Sequence, residues 1–341
     1  MSARAVDPDV STNFVALLKC PECGGALRGD GMSALTCQRG HHSFPVVDEI
    51  PRLLPEELSA LQEQTAEAFG WQWQHFDEMH DEFEQQFLDW VEPLEPSFFK
   101  AKLVLDAGCG MGRHMYFVSK YGADLVVGLD LSRAVDAAAA LLEDDPRVFL
   151  VQGDLTRPPL DPEGAGVFDL VYSIGVLHHL PDPHAGFRAL LPLVRPGGAI
   201  FVWVYGYEGN RFVRTVVEPM RRLSTRVPPR LLRWLAFPLA VGFHALACGV
   251  YRPVRLRSLS RHLPLAAYME SVAEFTFRQN YGIVFDQLVA PKSHYISRDE
   301  LEGWAAAGGL EDVSITSRND NSWRLFGRRP RRPMQARNGA T

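Results

Sequence analysis

The run Val104-Leu-Asp-Ala-Gly-Cys-Gly-Met-Gly-Arg113 leaves this chain few ways to fold. Lys102 to Leu105 reads as a short buried strand that ends in Asp106, and Gly108, Gly110 and Gly112 follow at alternate positions. Met115, Phe117 and Val118 then recur at helical spacing. Glycines permit a sharp strand-to-helix turn and let a ligand rest directly on the backbone. Any tight βα turn could carry such glycines; the acid before them narrows the choice. A diphosphate must come close to the loop and Asp106 would repel it, whereas a cationic ligand would be favoured.

The stations downstream agree with a nucleoside-bearing cation. Asp130 lies twenty-four residues after Asp106 and ends a second apolar strand, Leu125 to Leu129. That is the usual place for an acid that binds ribose hydroxyls. A third strand, Arg147 to Val151, runs into Gln-Gly-Asp154-Leu155, and a fourth, Phe168 to Ser173, runs into Ile-Gly-Val-Leu-His-His-Leu-Pro-Asp-Pro. Arg195-Pro-Gly-Gly198 turns into a fifth strand, Ala199 to Tyr205. S-adenosylmethionine carries a sulfonium and an ammonium and no phosphate. The whole order resembles the class I S-adenosylmethionine-dependent methyltransferases. The resemblance implies an α/β, Rossmann-like seven-stranded sheet, completed by strands near Leu310 to Thr316 and Trp323 to Gly327. It implies that Gly108, Gly110 and Gly112 hold the methionine end through backbone N–H groups, and that Asp130, with Leu131, meets the ribose. Asp154 and Leu155 would receive the adenine. Asp106 and Ser173 complete the expected cofactor set at the carboxyl edge of the sheet.

Before this core, Leu17 to Leu54 reads as a small independent unit. Cys20-Pro-Glu-Cys23 is a C-x-x-C knuckle, thirteen residues separate Cys23 from Cys37, and His41 and His42 follow. Three thiolates and an imidazole close a tetrahedral shell, the pattern of a structural Zn2+ site. C-x-x-C with C-x-x-x-H resembles the zinc module of large-subunit rRNA guanine methyltransferases, which favours His41 over His42. Ser43 to Pro55 resembles the short zinc-ribbon proteins that activate methyltransferases, although their fourth cysteine is Gly40 here. Five cysteines in this spacing favour metal over disulfides, and with no apolar leader at the N-terminus a cytoplasmic enzyme is expected.

The expected domains are a zinc ribbon (14–55), an acidic helical connector or lid (56–99), the methyltransferase core (100–205 and 291–328), a helical insertion after strand five that covers the acceptor (206–290), and a disordered tail (329–341). Glu56 to Glu95 holds twelve acids and no Lys or Arg, yet also seven of the chain's Phe and Trp residues, which argues against disorder. Phe83, Phe87 and Trp90 recur at helical spacing. Arg211 to Arg261 holds eleven Arg and one acid, Glu218, hence 11 − 1 = +10 in a chain of net charge −6. The two charge runs suggest a two-sided lid steered by opposite charge and sealed by Trp71, Trp73 and Trp234. Leu231 to Tyr251 is nearly all apolar. Packed lid helices, peripheral membrane contact through 231–251, and a membrane span are its three readings. Ser297-Arg-Asp-Glu300 is a capping box that opens a later helix, stopped at Gly308-Gly309.

A sulfonium is already an electrophile, so positioning dominates, and a base is needed only for some acceptors. His178, His179 and His294 are the candidate catalytic residues. Three functions compete. The first is methyl transfer to a small-molecule or lipid-linked acceptor such as a natural product, sugar or quinone, as Val176 to Pro183 resembles. The second is RNA methylation, with ribbon and insertion holding phosphates; neither an Asn-Pro-Pro-Tyr-type motif after strand four nor the cysteines of C5-methylation are present. The third is a cofactor-binding scaffold without catalysis.

Overall fold

A computed structural model describes residues 14–29, 33–80, 82–160, 167–253, 255, 257–263 and 265–331. The core sheet is built from β5 (Leu103–Ala107), β6 (Leu125–Asp130), β7 (Val148–Gly153), β8 (Phe168–Ile174), β9 (Val194–Tyr205), β10 (Glu311–Arg318) and β11 (Ser322–Arg328). Their order across the sheet is β7-β6-β5-β8-β9-β11-β10. β5 pairs in parallel with β6 and β8, and β11 runs antiparallel to β9, with Ser322 opposite Tyr205 and Arg328 opposite Ala199. These are the seven expected strands. The chain crosses from one side of β5 to the other between β7 and β8, and a ligand crevice forms at such a reversal.

The sheet does not stop at β7. The N-terminal unit contributes β1 (Leu27–Arg28), β2 (Ala34–Cys37), β3 (Ser43–Val47) and β4 (Ile50–Leu53), and all four continue the same sheet. Arg52 and Leu53 of β4 pair in parallel with Gln152 and Gly153 of β7. Arg52 also meets Asp136 at 2.7 Å. The unit is therefore not independent. Its apolar residues cannot fill a core alone, and Leu18, Leu35 and Leu53 share one with Leu105, Val127 and Val151. The alternate residues Val104, Val126 and Leu170 face the other way and pack with Phe83, Phe87 and Val91. A parallel sheet covered on both faces needs such unbroken apolar strands.

The connector forms α1 (Ala60–Trp73) and α2 (Phe83–Val91). Ser59 and Gln62 make a capping box at the start of α1. α2 buries Phe83, Phe87 and Val91 on one face, as the spacing predicts. After the glycine loop come α3 (Arg113–Lys120) and α4 (Ala134–Leu141). The insertion supplies α5 (Glu218–Ser224), α6 (Pro229–Leu246) and α7 (Phe277–Val289), and the capped helix is α8 (Arg298–Ala307). Arg221 is 1% exposed and ties α5 to α7 through the Gln287 carbonyl at 2.9 Å and the Gln287 side chain at 2.8 Å.

The charge-steered lid is corrected by the ion pairs. Glu84 pairs with Lys120 at 2.7 Å, Glu78 with Arg278 at 2.6 Å, and Glu92 with Arg324 at 3.0 Å, while Asp89 pairs with Arg318 and Arg324. Among the described residues no connector acid pairs with an arginine of 211–261. The two segments meet through the Glu78–Arg278 pair, outside the expected charge run, and through aromatic rings: Phe285 of α7 lies 5.4 Å from Trp71 and 5.3 Å from Phe76 between ring centroids. Trp234, expected in the seal, is 78% exposed. Of the expected tail, residues 332–341 lie outside the described residues. Arg329 is held to the sheet, bonding the Gly198 carbonyl at 2.9 Å and accepting from the Gly197 N–H at 2.8 Å.

Candidate active site

Gly108, Gly110 and Gly112 all take positive φ, at 93°, 53° and 82°. Only glycine tolerates the run without strain. A Cβ on Gly108 would lie 2.2 Å from Val176, and one on Gly112 would lie 3.0 Å from Ala138 of α4. The loop is fixed from behind by Asp130, whose carboxylate accepts from the Gly110 N–H at 2.9 Å and from the Ser132 N–H and hydroxyl at 2.8 and 2.7 Å.

A cavity of about 770 Å³ begins at this loop. Of the expected cofactor residues, Gly108, Gly110, Asp130, Leu131 and Leu155 line it. The other four do not, and each has a structural role. Gly112 packs against α4. Ser173 is fully buried and donates to the Ala107 carbonyl at 2.7 Å, joining β8 to β5. Asp154 is 2% exposed and accepts from Thr156 and, at 2.8 Å, from Gln62 of α1. Asp106 is fully buried and accepts from the Tyr172 hydroxyl at 2.8 Å, while its Oδ1 has no partner. Burial pushes its carboxyl up to about 8, against the hydrogen bond from Tyr172.

The cavity continues from the loop past Phe69, Trp73, Trp90, Trp203 and Tyr205 into the insertion. Of the candidate histidines, His179 alone reaches its wall. His179 Nδ1 lies 2.8 Å from the Lys292 carbonyl, so that nitrogen carries the proton. Burial holds its pKa down at about 4. His178 is fully buried, stacks on Tyr205 at 3.9 Å, and has its pKa pushed well down by burial. His294 lies behind it, its N–H bonded to the His178 carbonyl at 2.7 Å. Neither is among the residues that line the cavity, and their contact ties the loop after β8 to the segment before α8.

Two site residues escaped the sequence reading. Arg113, the first residue of α3, lines the cavity with its guanidinium 5.0 Å from the ring centres of Phe83 and Trp90 and 5.4 Å from Trp73. Burial lowers its pKa to about 10, so it stays charged. Asp286 of α7 also lines the cavity. It accepts from the Gln72 amide at 3.2 Å and the Tyr205 hydroxyl at 3.4 Å, and burial raises its pKa. A lone acid within Tyr-Gly-Ile-Val-Phe-Asp-Gln-Leu-Val was the available signal. Four residues of the lining carry a buried polar atom without a partner among the described residues: Gln72 Oε1, Trp90 Nε1, Trp203 Nε1 and Gln279 Nε2.

In the N-terminal unit the ligand atoms of Cys20, Cys23, Cys37 and His42 lie within 4.8 Å of one another. A tetrahedral ion with bonds to sulfur of ~2.3 Å would set its ligand atoms about 3.7 Å apart, so the four can converge on one. The expected His41 is corrected to His42. His41 is exposed with φ at 56°, and that left-handed residue turns the chain so that His42, 3.5 Å from Cys20 Sγ, joins the thiols. The Gly40 N–H holds the Cys37 thiol down at about 6, near its thiolate form. None of these residues lines the cavity.

Residues 105–202 match the family model described as a methyltransferase domain. The ubiquinone biosynthesis O-methyltransferase of Ralstonia nicotianae is 34% identical over 130 residues, 38% of this chain and 53% of that protein. The tRNA U34 carboxymethyltransferase of Mannheimia succiniciproducens is 33% identical over 159 residues, 43% of this chain and 46% of that protein. The chain spans about half the length of the curated relatives it matches. The solved structure of human N-acetylserotonin methyltransferase is 15% identical, with a TM-score of 0.45 over 81% of this chain and 59% of that one. Residues 105–202 thus carry a methyltransferase domain.

Proposed function

We propose that the protein transfers a methyl group from S-adenosylmethionine to a hydroxyl of an apolar small-molecule or lipid-linked acceptor. The observation that carries this reading is the single cavity that runs from the glycine loop into the insertion. When bound, S-adenosylmethionine supplies a methyl group already activated on a sulfonium. The residues present fit it. The glycine loop leaves room for a ligand on its backbone, Asp130 offers oxygens to ribose, and Leu131 and Leu155 offer apolar contact. Arg113 is a cation without a carboxylate partner among the described residues, suited to an amino-acid carboxylate. Phe69, Trp73 and Trp90 exclude water, and the free indole N–H groups and Gln72 Oε1 would orient a polar head.

The proton of the acceptor hydroxyl needs a destination. His179 lines the cavity, but a group with pKa about 4 is a weak proton acceptor. Burial acts on a carboxylate in the opposite sense, so Asp286 gains basicity where His179 loses it. We assign the acceptor proton to Asp286, with Gln72 and Tyr205 holding its oxygens. The Cys20, Cys23, Cys37 and His42 set would hold Zn2+ as a closed structural site, with no position left for a reactant.

Calorimetry and a label-transfer assay test the reading. Asp130→Ala should weaken S-adenosylmethionine binding by about 1.5–3 kcal/mol. Methyl-labelled S-adenosylmethionine, with wild-type protein and a whole extract of its host, should place label in the organic phase. Asp286→Asn should keep cofactor affinity and lower that transfer by about 10²–10⁴. Label recovered in RNA would favour nucleic acid as acceptor, and cofactor binding with no transfer to any fraction would favour a scaffold.

A further inference from the structure

The insertion carries a face that no other described part of the chain covers. Thirteen of the seventeen large apolar side chains exposed among the described residues lie between Phe212 and Leu263, in less than a sixth of the chain. Trp234 is 78% exposed, Leu223 66% and Leu259 62%. Soluble surfaces seldom gather so many such residues in one place. Arg222, Arg226 and Arg230 are exposed in the stretch that carries Leu223 and Leu231, and among the described residues none of them has a carboxylate within salt-bridge reach. Exposed apolar side chains accompanied by exposed cations match a surface that is apolar inside and anionic at its rim.

The patch and the cavity share residues. Phe212, Met220, Leu239 and Leu246 are exposed and also line the cavity. The cavity therefore opens through the apolar face. The helix beneath it is long and apolar enough to cross a membrane. Its packing gives it another orientation. Leu232 and Ala236 are buried against Phe285 and Leu288, and the α6 backbone and His244 bond Tyr281 at 2.6 Å and Asn280 at 2.9 Å. One side of α6 is fixed to α7, and only the other is free to meet lipid. Such a helix lies in the interface plane.

We propose that this face seats the protein on an anionic lipid bilayer, with Arg222, Arg226 and Arg230 at the headgroup phosphates and Trp234 and Leu235 in the acyl boundary, and that the acceptor enters the cavity sideways from the bilayer. The entry route rests on the proposed methyl transfer; the docking does not. A second copy seated on the same face would set arginines against arginines. Nucleic acid would meet the arginines and leave the apolar residues without a role.

Co-sedimentation of the full chain with vesicles tests the docking. Binding is expected to vesicles of phosphatidylglycerol mixed with phosphatidylethanolamine, and much more weakly to phosphatidylcholine alone. Arg222→Glu, Arg226→Glu and Arg230→Glu together should weaken it about a hundredfold. Trp234→Asp with Leu235→Asp, at exposed positions, should weaken it at least about tenfold with the circular dichroism unchanged. No sedimentation with anionic vesicles would overturn the proposal. So would binding that survives Trp234→Asp with Leu235→Asp, or a dimer in solution that those substitutions dissociate. S-adenosylmethionine calorimetry on the same sample separates the two claims. Vesicle binding without cofactor binding would overturn the entry route and leave the docking standing.

Discussion

His179 shows how far one buried side chain can set the pH behaviour of the molecule. Its folded pKa, about 4, lies below the ordinary histidine value of 6.5 because burial disfavours the imidazolium. Between those two values the unfolded chain binds a proton that the folded one refuses. Stability contributed by the neutral ring is therefore complete above pH ~6.5 and is lost as pH falls toward ~4. The whole effect is about 3 kcal/mol. His179→Gln keeps an N–H for the Lys292 carbonyl and cannot take up the proton. Unfolding free energies measured from pH 7 to pH 4 should then fall less steeply for the variant. Parallel curves would mean that His179 charges freely in the folded protein. Asp106 slopes the other way, since its carboxyl is raised to about 8 and its contribution is lost as pH rises, so only the difference between the two proteins isolates the histidine.

Elements differ in how much of them a sequence discloses. The glycine loop was legible because its demand is local: Gly108 and Gly110 need positive φ wherever the chain goes afterwards. The seven strands of the core were legible from the same loop and the ordered stations after it. The choice between His41 and His42 was not legible, because the turn after Cys37 decides which ring reaches the thiols. Nor was the union of ribbon and core, since two hydrogen-bonded residues of β4, Arg52 and Leu53, make it. Asp286 was hidden for a related reason: α7 is distant in sequence from β9 and α1, whose Tyr205 and Gln72 bond it. The ribbon yields a prediction at this scale. Elemental analysis of protein never exposed to chelator should find one zinc per chain, lost in His42→Ala and kept in His41→Ala. Metal removal should lower the melting temperature of the whole domain and raise hydrogen exchange in β7 as well as in β2 and β3, because Leu18, Leu35 and Leu53 share the core of Val127 and Val151. Exchange confined to residues 14–53 would show that the ribbon unfolds alone.

At the scale of the molecule, the connector and the insertion enclose the cavity between them, and the forces that join them decide how it opens. Charge contributes one exposed ion pair between them, Glu78 with Arg278 of α7. Glu84, Asp89 and Glu92 of the connector pair instead with Lys120, Arg318 and Arg324, outside the insertion. What remains is a cluster centred on Phe285, which is fully buried against Trp71 and Phe76. Exposed ion pairs contribute about 0–1 kcal/mol each and fade in salt, whereas deleting a buried phenyl ring costs about 3–5 kcal/mol. Salt should thus leave the closure nearly untouched, and one core substitution should release it. In Phe285→Ala, amide exchange should quicken together in 60–73 and 229–246, while β5 and β6 keep their protection. Raising the salt concentration on wild-type protein should change neither segment. If the insertion loosens in Phe285→Ala and the connector does not, the two close independently. If salt alone loosens both, attraction between the charge runs acts at a range the ion pairs do not reveal, and the aromatic cluster is not what holds the cavity shut.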